Sequence, residues 1–116
     1  METPYYVFDA EEFIANYHDL EDTFRSVYPN YQIAYSFKTN YTPAVCKIIK
    51  ELGGWAEVVS DMEYDLAKKI GFPDEKILYN GPGKGEKLET CLLRGGHLHI
   101  DNKLDLERTI SCARRY

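Results

Sequence analysis

The chain has 116 residues, with 14 Lys and Arg against 19 Asp and Glu, a net charge of −5 and an apolar share of 44%. That length holds one domain, and the apolar share supports a packed core rather than wholesale disorder. The negative charge argues against a sequence-independent hold on nucleic acid or anionic membrane, and no apolar run approaches the roughly 20 residues of a spanning helix.

Thr3–Phe8 is short, aromatic and β-branched, and reads as a strand. Asp9 with Glu12 three residues later has the form of a capping box. Phe13, Tyr17, Leu20, Phe24 and Val27 then recur at helical spacing, up to a stop near Tyr28-Pro29-Asn30. A unit follows and repeats. Tyr31–Phe37 reads as a strand, and Pro43 opens a helix with Val45, Ile48, Ile49 and Leu52 inward and Gly53-Gly54 at its end. Trp55–Val59 is the next strand, and Ser60 with Glu63 forms a second capping box for a helix that stops at Gly71. Lys76–Asn80, a turn at Gly81-Pro82-Gly83 and a helix around Leu88–Arg94 make the third unit. His97–Ile100 is a fourth strand, and Asp101-Asn102 cap a last helix reaching Arg115.

Strands starting near residues 31, 55, 76 and 97 are separated by helices, which forces parallel pairing through crossovers. The period suits a leucine-rich repeat, but the LxxLxLxxN pattern is absent. That leaves the leucine-rich repeat a lesser alternative to two α/β architectures: half of a (β/α)8 barrel, a fold of roughly 250 residues, or a small doubly wound sheet. The last residues, Ser111–Tyr116, run in a helical pattern without a cap, so a truncated chain is expected.

The first candidate for chemistry is Lys38 in Ala34-Tyr35-Ser36-Phe37-Lys38-Thr39-Asn40. A lysine at the carboxyl end of an apolar strand stands where α/β folds place their sites, and burial there would activate its amine as a nucleophile. A solvated lysine at a strand end is the plainer reading. Asn80-Gly81-Pro82-Gly83-Lys84-Gly85 suggests a phosphate loop but lacks the Ser or Thr after its lysine and the third glycine of GxGxxG, so a tight turn is expected. His97 and His99 share a strand face without a third ligand, which favours a structural pair over a metal site. Cys46, Cys91 and Cys112 lie far apart and form no CxxC, so neither a disulfide framework nor a zinc knuckle is expected. Tyr5, Tyr6, Tyr35 and Tyr79 read as half-buried strand residues, and Arg114-Arg115 as a solvated helix end. The opening Met-Glu-Thr-Pro-Tyr lacks signal-peptide features, so a soluble, cytoplasmic protein is expected.

Thr3-Pro4-Tyr5-Tyr6-Val7-Phe8-Asp9 followed by Ala34–Asn40 resembles the opening of the ornithine/diaminopimelate/arginine decarboxylase family, with its TPxYVYD and YAVKAN segments. The likeness continues through Ala56–Glu63, Ile77–Lys84 and His99–Asn102, in family order and over essentially the whole chain. The resemblance implies a pyridoxal 5'-phosphate (PLP) enzyme on an alanine-racemase-like barrel, with Lys38 carrying PLP as an internal aldimine. It implies that residues 1–8 supply a strand of a separate β domain and 9–116 the first half of the barrel. Glu57 and Glu63 match acidic family positions, and Asn80 ends the third strand, so all three are expected near the cofactor. Glu63 is also explained by its capping box, and Glu57 by a solvated strand-end charge. The family's phosphate-binding glycines lie beyond Tyr116.

The implied activity is decarboxylation of a basic or diamino acid, nearest to the diaminopimelate branch of lysine biosynthesis, in a homodimer. Without the remaining family elements the 116 residues are expected to be inactive, and two open strand edges should make them associate. The alternatives are a non-catalytic or truncated fragment that binds PLP or a partner, and a single-domain PLP carrier.

Overall fold

A computed structural model describes residues 3–116 and separates the chain into two compact units, Met1–Tyr31 and Gln32–Tyr116. The first contains α1 (Ala10–Val27), capped as its sequence requires: the Asp9 carboxylate accepts from the Glu12 N–H at 3.0 Å. Tyr17 is buried, Phe8 packs against Phe13 at 5.3 Å between ring centroids, and Phe24 stacks on Tyr31 at 5.6 Å. Leu20, Phe24 and Val27, the second half of the apolar stripe, are exposed.

The strand expected at Thr3–Phe8 is not formed: the segment is irregular, and Tyr5, Tyr6, Val7 and Phe8 are exposed. A strand is held by a ladder to a neighbour, and these residues have none among the described residues, so their β propensity finds no expression. The first two residues of the 1–8 segment lie outside the described residues.

The second unit alternates β1 (Ala34–Ser36), α2 (Pro43–Glu51), β2 (Trp55–Val58), α3 (Asp61–Ile70), a 3-10 turn (Asp74–Lys76), β3 (Ile77–Tyr79), α4 (Lys87–Leu93), β4 (His97–Leu98) and α5 (Lys103–Arg115). The four strands form one parallel sheet in the order β1-β2-β3-β4. Neighbours in sequence are neighbours in space throughout, as in a barrel wall. A doubly wound sheet reverses its strand order at a switch point, and none occurs here.

The strands are shorter than expected, yet ladder-type bonds run past their ends. Phe37 N–H donates to Glu57 O at 2.9 Å, Asn80 N–H to Val58 O at 2.8 Å, and His99 N–H to Tyr79 O at 3.0 Å. These bonds carry the strand pairing to Phe37, Asn80 and His99.

Register divides the side chains into two faces. Phe37, Ala56, Val58, Ile77 and Tyr79 are fully buried, with Val45, Cys46, Ile49, Tyr64, Ala67, Leu88 and Cys91 of the helices. This is the core, where Phe37 meets Phe72 edge-on at 5.8 Å and Tyr64 stacks with Tyr79 at 6.2 Å. The alternate positions form the other face: Ser36 and Lys38, Trp55 and Glu57, Leu78 and Asn80, His97 and His99. Trp55 of β2 and His97 of β4 stack there at 4.5 Å. Contact between alternate strands is how a (β/α)8 interior is layered.

Candidate active site

The polar residues of this second face gather at the carboxyl ends of the strands, the end at which parallel α/β folds hold their ligands. Lys38 sits in the turn that follows β1. Ser36 O accepts from both the Thr39 N–H (3.2 Å) and the Thr39 hydroxyl (2.7 Å), and Asn40 Oδ1 accepts from the Thr42 N–H at 3.0 Å. The Tyr35 hydroxyl donates to Asn40 O at 2.9 Å. The turn is therefore pinned on both sides of Lys38. Phe37, which adds volume next to the lysine in sequence, is fully buried in the opposite face and anchors the turn instead of crowding it.

Lys38 itself is exposed and makes no hydrogen bond or ion pair among the described residues. The burial expected to activate its amine is thus not supplied by these residues: the lysine ends a short strand, and nothing described here covers it.

Glu57 is 9% exposed, and its Oε1 accepts from Asn80 Nδ2 at 3.0 Å. Asn80 Oδ1 in turn contacts His99 Nδ1 at 3.3 Å. A carboxylate, an amide and an imidazole from three successive strands are thus connected in a row. The hydroxyl Ser36 Oγ, two residues before Lys38 on the same face, is buried without a partner among the described residues.

Glu63 does not join this row. It is buried, its Oε2 accepts from the Val59 N–H at 2.8 Å, and its own N–H donates to Ser60 Oγ at 3.2 Å. Ser60 thus caps α3, and the Glu63 carboxylate, reaching one residue further back than in a capping box, fixes the backbone just after β2.

The Asn80–Gly85 segment is a turn. Gly81 has φ +89°, and an added Cβ would press on Val59. A Cβ at Gly85 would collide with the Asp61 carboxylate, which accepts from the backbone N–H groups of Glu86 (2.8 Å) and Lys87 (3.2 Å). The Lys84 amine is fully buried and donates to Gly81 O, Asp101 Oδ2 and Asp105 Oδ2, so it is committed inside the protein. This cluster, which the sequence pattern did not reveal, ties the β3–α4 turn to the start of α5. Arg108 strengthens the tie by donating to Lys84 O and Gly85 O at 3.1 and 2.8 Å.

Burial and the hydrogen bond to Asp61 push the Tyr79 phenol up, and burial with the Asp74 contact does the same to Tyr64. Burial also raises the Cys46 and Cys91 thiols to about 11. These groups belong to the core. His97 and His99 part company, one stacked on Trp55 and the other bonded to Asn80.

A primary amine, a carboxylate, an amide, an imidazole and an unsatisfied hydroxyl on one sheet face suit an aldehyde cofactor with polar ring substituents. No cradle for its phosphate appears among the described residues. The fit is to the reactive end of such a cofactor.

Comparison with known proteins agrees. The family model described as "Pyridoxal-dependent decarboxylase, pyridoxal binding domain" matches residues 14–113. A diaminopimelate decarboxylase of Aquifex aeolicus is 39% identical over 85 residues, covering 73% of this chain and 19% of that protein. A probable chloroplastic diaminopimelate decarboxylase of Oryza sativa is 32% identical over 116 residues, covering 97% of this chain and 23% of that protein. In structure, diaminopimelate decarboxylase of Helicobacter pylori, complexed with L-lysine, superposes with a TM-score of 0.83 at 21% identity, over 99% of this chain and 29% of that one. The likeness extends the fold: the sheet corresponds to the first part of a decarboxylase barrel. The chain spans about a fifth to a quarter of the length of the curated relatives it matches. On the match over residues 14–113, the chain belongs to the pyridoxal-dependent decarboxylase family, as part of its pyridoxal-binding domain.

Proposed function

We propose that the protein carrying this chain is a PLP-dependent decarboxylase of a basic or diamino acid, with diaminopimelate or a close analogue as substrate. The observation that supports it best is the exposed Lys38 amine, without a partner among the described residues, on its pinned turn and on the same sheet face as Glu57 and Asn80. The relatives' names supply the direction of the substrate assignment.

In this reading Lys38 Nζ is the atom that holds the cofactor, and the turn bonded at Ser36 O and Asn40 presents that amine at the mouth of the barrel. When bound, PLP supplies an electron sink for the pair left as carbon dioxide departs. Glu57 and Asn80 line the cofactor's side of the mouth, Glu57 contributing negative charge and Asn80 holding its Oε1 in place. Glu63 serves through the backbone, by fixing Val59 and with it the end of β2. Residues 1–8 would join a β domain, 9–116 would open the barrel, and the assembly would be a cytoplasmic homodimer.

The other reading is a barrel fragment that binds PLP or a partner without turnover. Carbon dioxide release from diaminopimelate, lysine, ornithine and arginine, assayed with PLP on the protein that contains this segment, separates the two. Release from diaminopimelate above the others is expected. PLP uptake with no release from any of them would favour the binding module.

A further inference from the structure

We propose that His99 is a further ligand-binding residue of this face. The Glu57–Asn80 pair orients it so that Nε2 accepts a hydrogen bond from an N–H or O–H donor of the bound cofactor or of the amino acid reacting with it. The inference rests on the PLP reading above and adds a residue to it.

The argument follows hydrogen-bond polarity along the row. A carboxylate only accepts, so Asn80 must turn Nδ2 toward Glu57 Oε1, and it does so at 3.0 Å. The amide then has only Oδ1 to offer on its other side, and an amide oxygen also only accepts. The 3.3 Å contact between Asn80 Oδ1 and His99 Nδ1 therefore places the proton on Nδ1. In the neutral ring this leaves the lone pair on Nε2, because the bond made by one ring nitrogen sets the state of the other.

Three further observations keep that lone pair in place and available. His99 N–H donates to Tyr79 O at 3.0 Å, so the ring projects from backbone held by β3. Its neighbour on the face, His97, is held by the stack on Trp55. The His99 side chain is otherwise exposed, and Nε2 has no partner among the described residues. Glu57 thus orients an acceptor two strands away. A metal role would need His97 and His99 to converge, and their separate partners hold them to different tasks.

The test uses the protein that contains this segment, with 15N-labelled histidine. Free of cofactor, unsubstituted protein should show His99 with a pyrrole-type Nδ1 and a pyridine-type Nε2, and Asn80→Leu should abolish that preference. His99→Gln and His99→Asn, the second of which keeps a donor for Asn80, should each weaken one constant about five- to ten-fold, the loss expected for one hydrogen bond. A weaker PLP Kd by absorbance titration identifies the cofactor as the donor. A higher amino-acid KM at saturating PLP identifies the substrate.

A proton on Nε2 in the unsubstituted protein overturns the inference. So do unchanged constants in both variants, whether or not their melting temperatures fall. Borohydride trapping of PLP at Lys38 is run alongside. Normal trapping with unchanged constants overturns this inference alone, whereas no trapping in the unsubstituted protein overturns the functional reading and this inference with it.

Discussion

Phe37 and Lys38 are adjacent in sequence and opposite in fate, because successive side chains at a strand end leave by opposite faces. Phe37 is fully buried against Phe72, so Phe37→Ala should cost about 3–5 kcal/mol in urea unfolding. Lys38 is exposed and has no partner among the described residues, so Lys38→Ala should stay within about 0.5 kcal/mol of the parent while, on the proposed function, removing cofactor attachment. Equal losses in the two variants would contradict the division of faces. Burial that raises Cys46 and Cys91 to about 11 predicts slow labelling by a disulfide reagent at neutral pH. Labelling should become fast only in denaturant, and prompt reaction of the folded protein would show the core to be open. At this scale the place of Lys38 just past the carboxyl end of β1 was legible in the sequence, since the apolar run before it reads as a strand. The Ser60 cap of α3 was legible too, from Glu63 three residues later. The contact between His99 and Asn80 was not, because it depends on the register of β3 against β4, which spacing along the chain does not fix.

Buried polar ties join elements alongside the apolar core. The Lys84 amine between Asp101 and Asp105 locks the β3–α4 turn to α5, and both Lys84 and Asp105 are almost completely buried. Removing the cation strands a buried carboxylate, so Lys84→Ala should destabilise by about 3–5 kcal/mol. Lys84→Met combined with Asp105→Leu should recover part of that loss, and no recovery would contradict the stranded carboxylate as its cause. A second tie joins Lys68 and Tyr64 to Asp74, at 2.7 and 3.0 Å. Burial acts to raise the Asp74 carboxyl, but the Lys68 and Tyr64 hydrogen bonds and the nearby Lys68 and Arg94 charges outweigh it and hold it below its ordinary 3.8. A lowered carboxyl stabilises the folded state above its ordinary value and loses that effect as pH falls through the lowered one. Asp74→Asn should therefore lower the melting temperature at neutral pH, with the gap closing as the pH drops below 3.8. A gap that widened in acid would reverse the assigned sign. The helices and their stops were legible from caps and glycines. The Lys84 tie was not, because its partners are 17 and 21 residues away and the motif around it looks like a phosphate loop.

Over the whole chain, the 21- to 24-residue period in the sequence announced a parallel α/β sheet but could not choose between barrel and doubly wound order. Helices separate the strands equally in both, and the choice belongs to the ladder. The register from Ala34–Trp55 through Tyr79–Leu98 made it. The Thr3–Phe8 segment failed as a strand for a related reason: propensity is local, and pairing is not. Among the described strands β1 and β4 each pair on one side only. The 116 residues on their own should therefore associate through these edges, and light scattering should report more than a monomer. A cooperatively melting monomer would contradict that.

The account as a whole turns on one atom, Lys38 Nζ. The most direct test is to incubate the protein that carries this segment with PLP, reduce it with borohydride, and map the modified peptide by mass spectrometry. The account predicts a single phosphopyridoxyl group on Lys38, lost in Lys38→Ala. Modification spread over surface lysines, or an unchanged yield in Lys38→Ala, would contradict it.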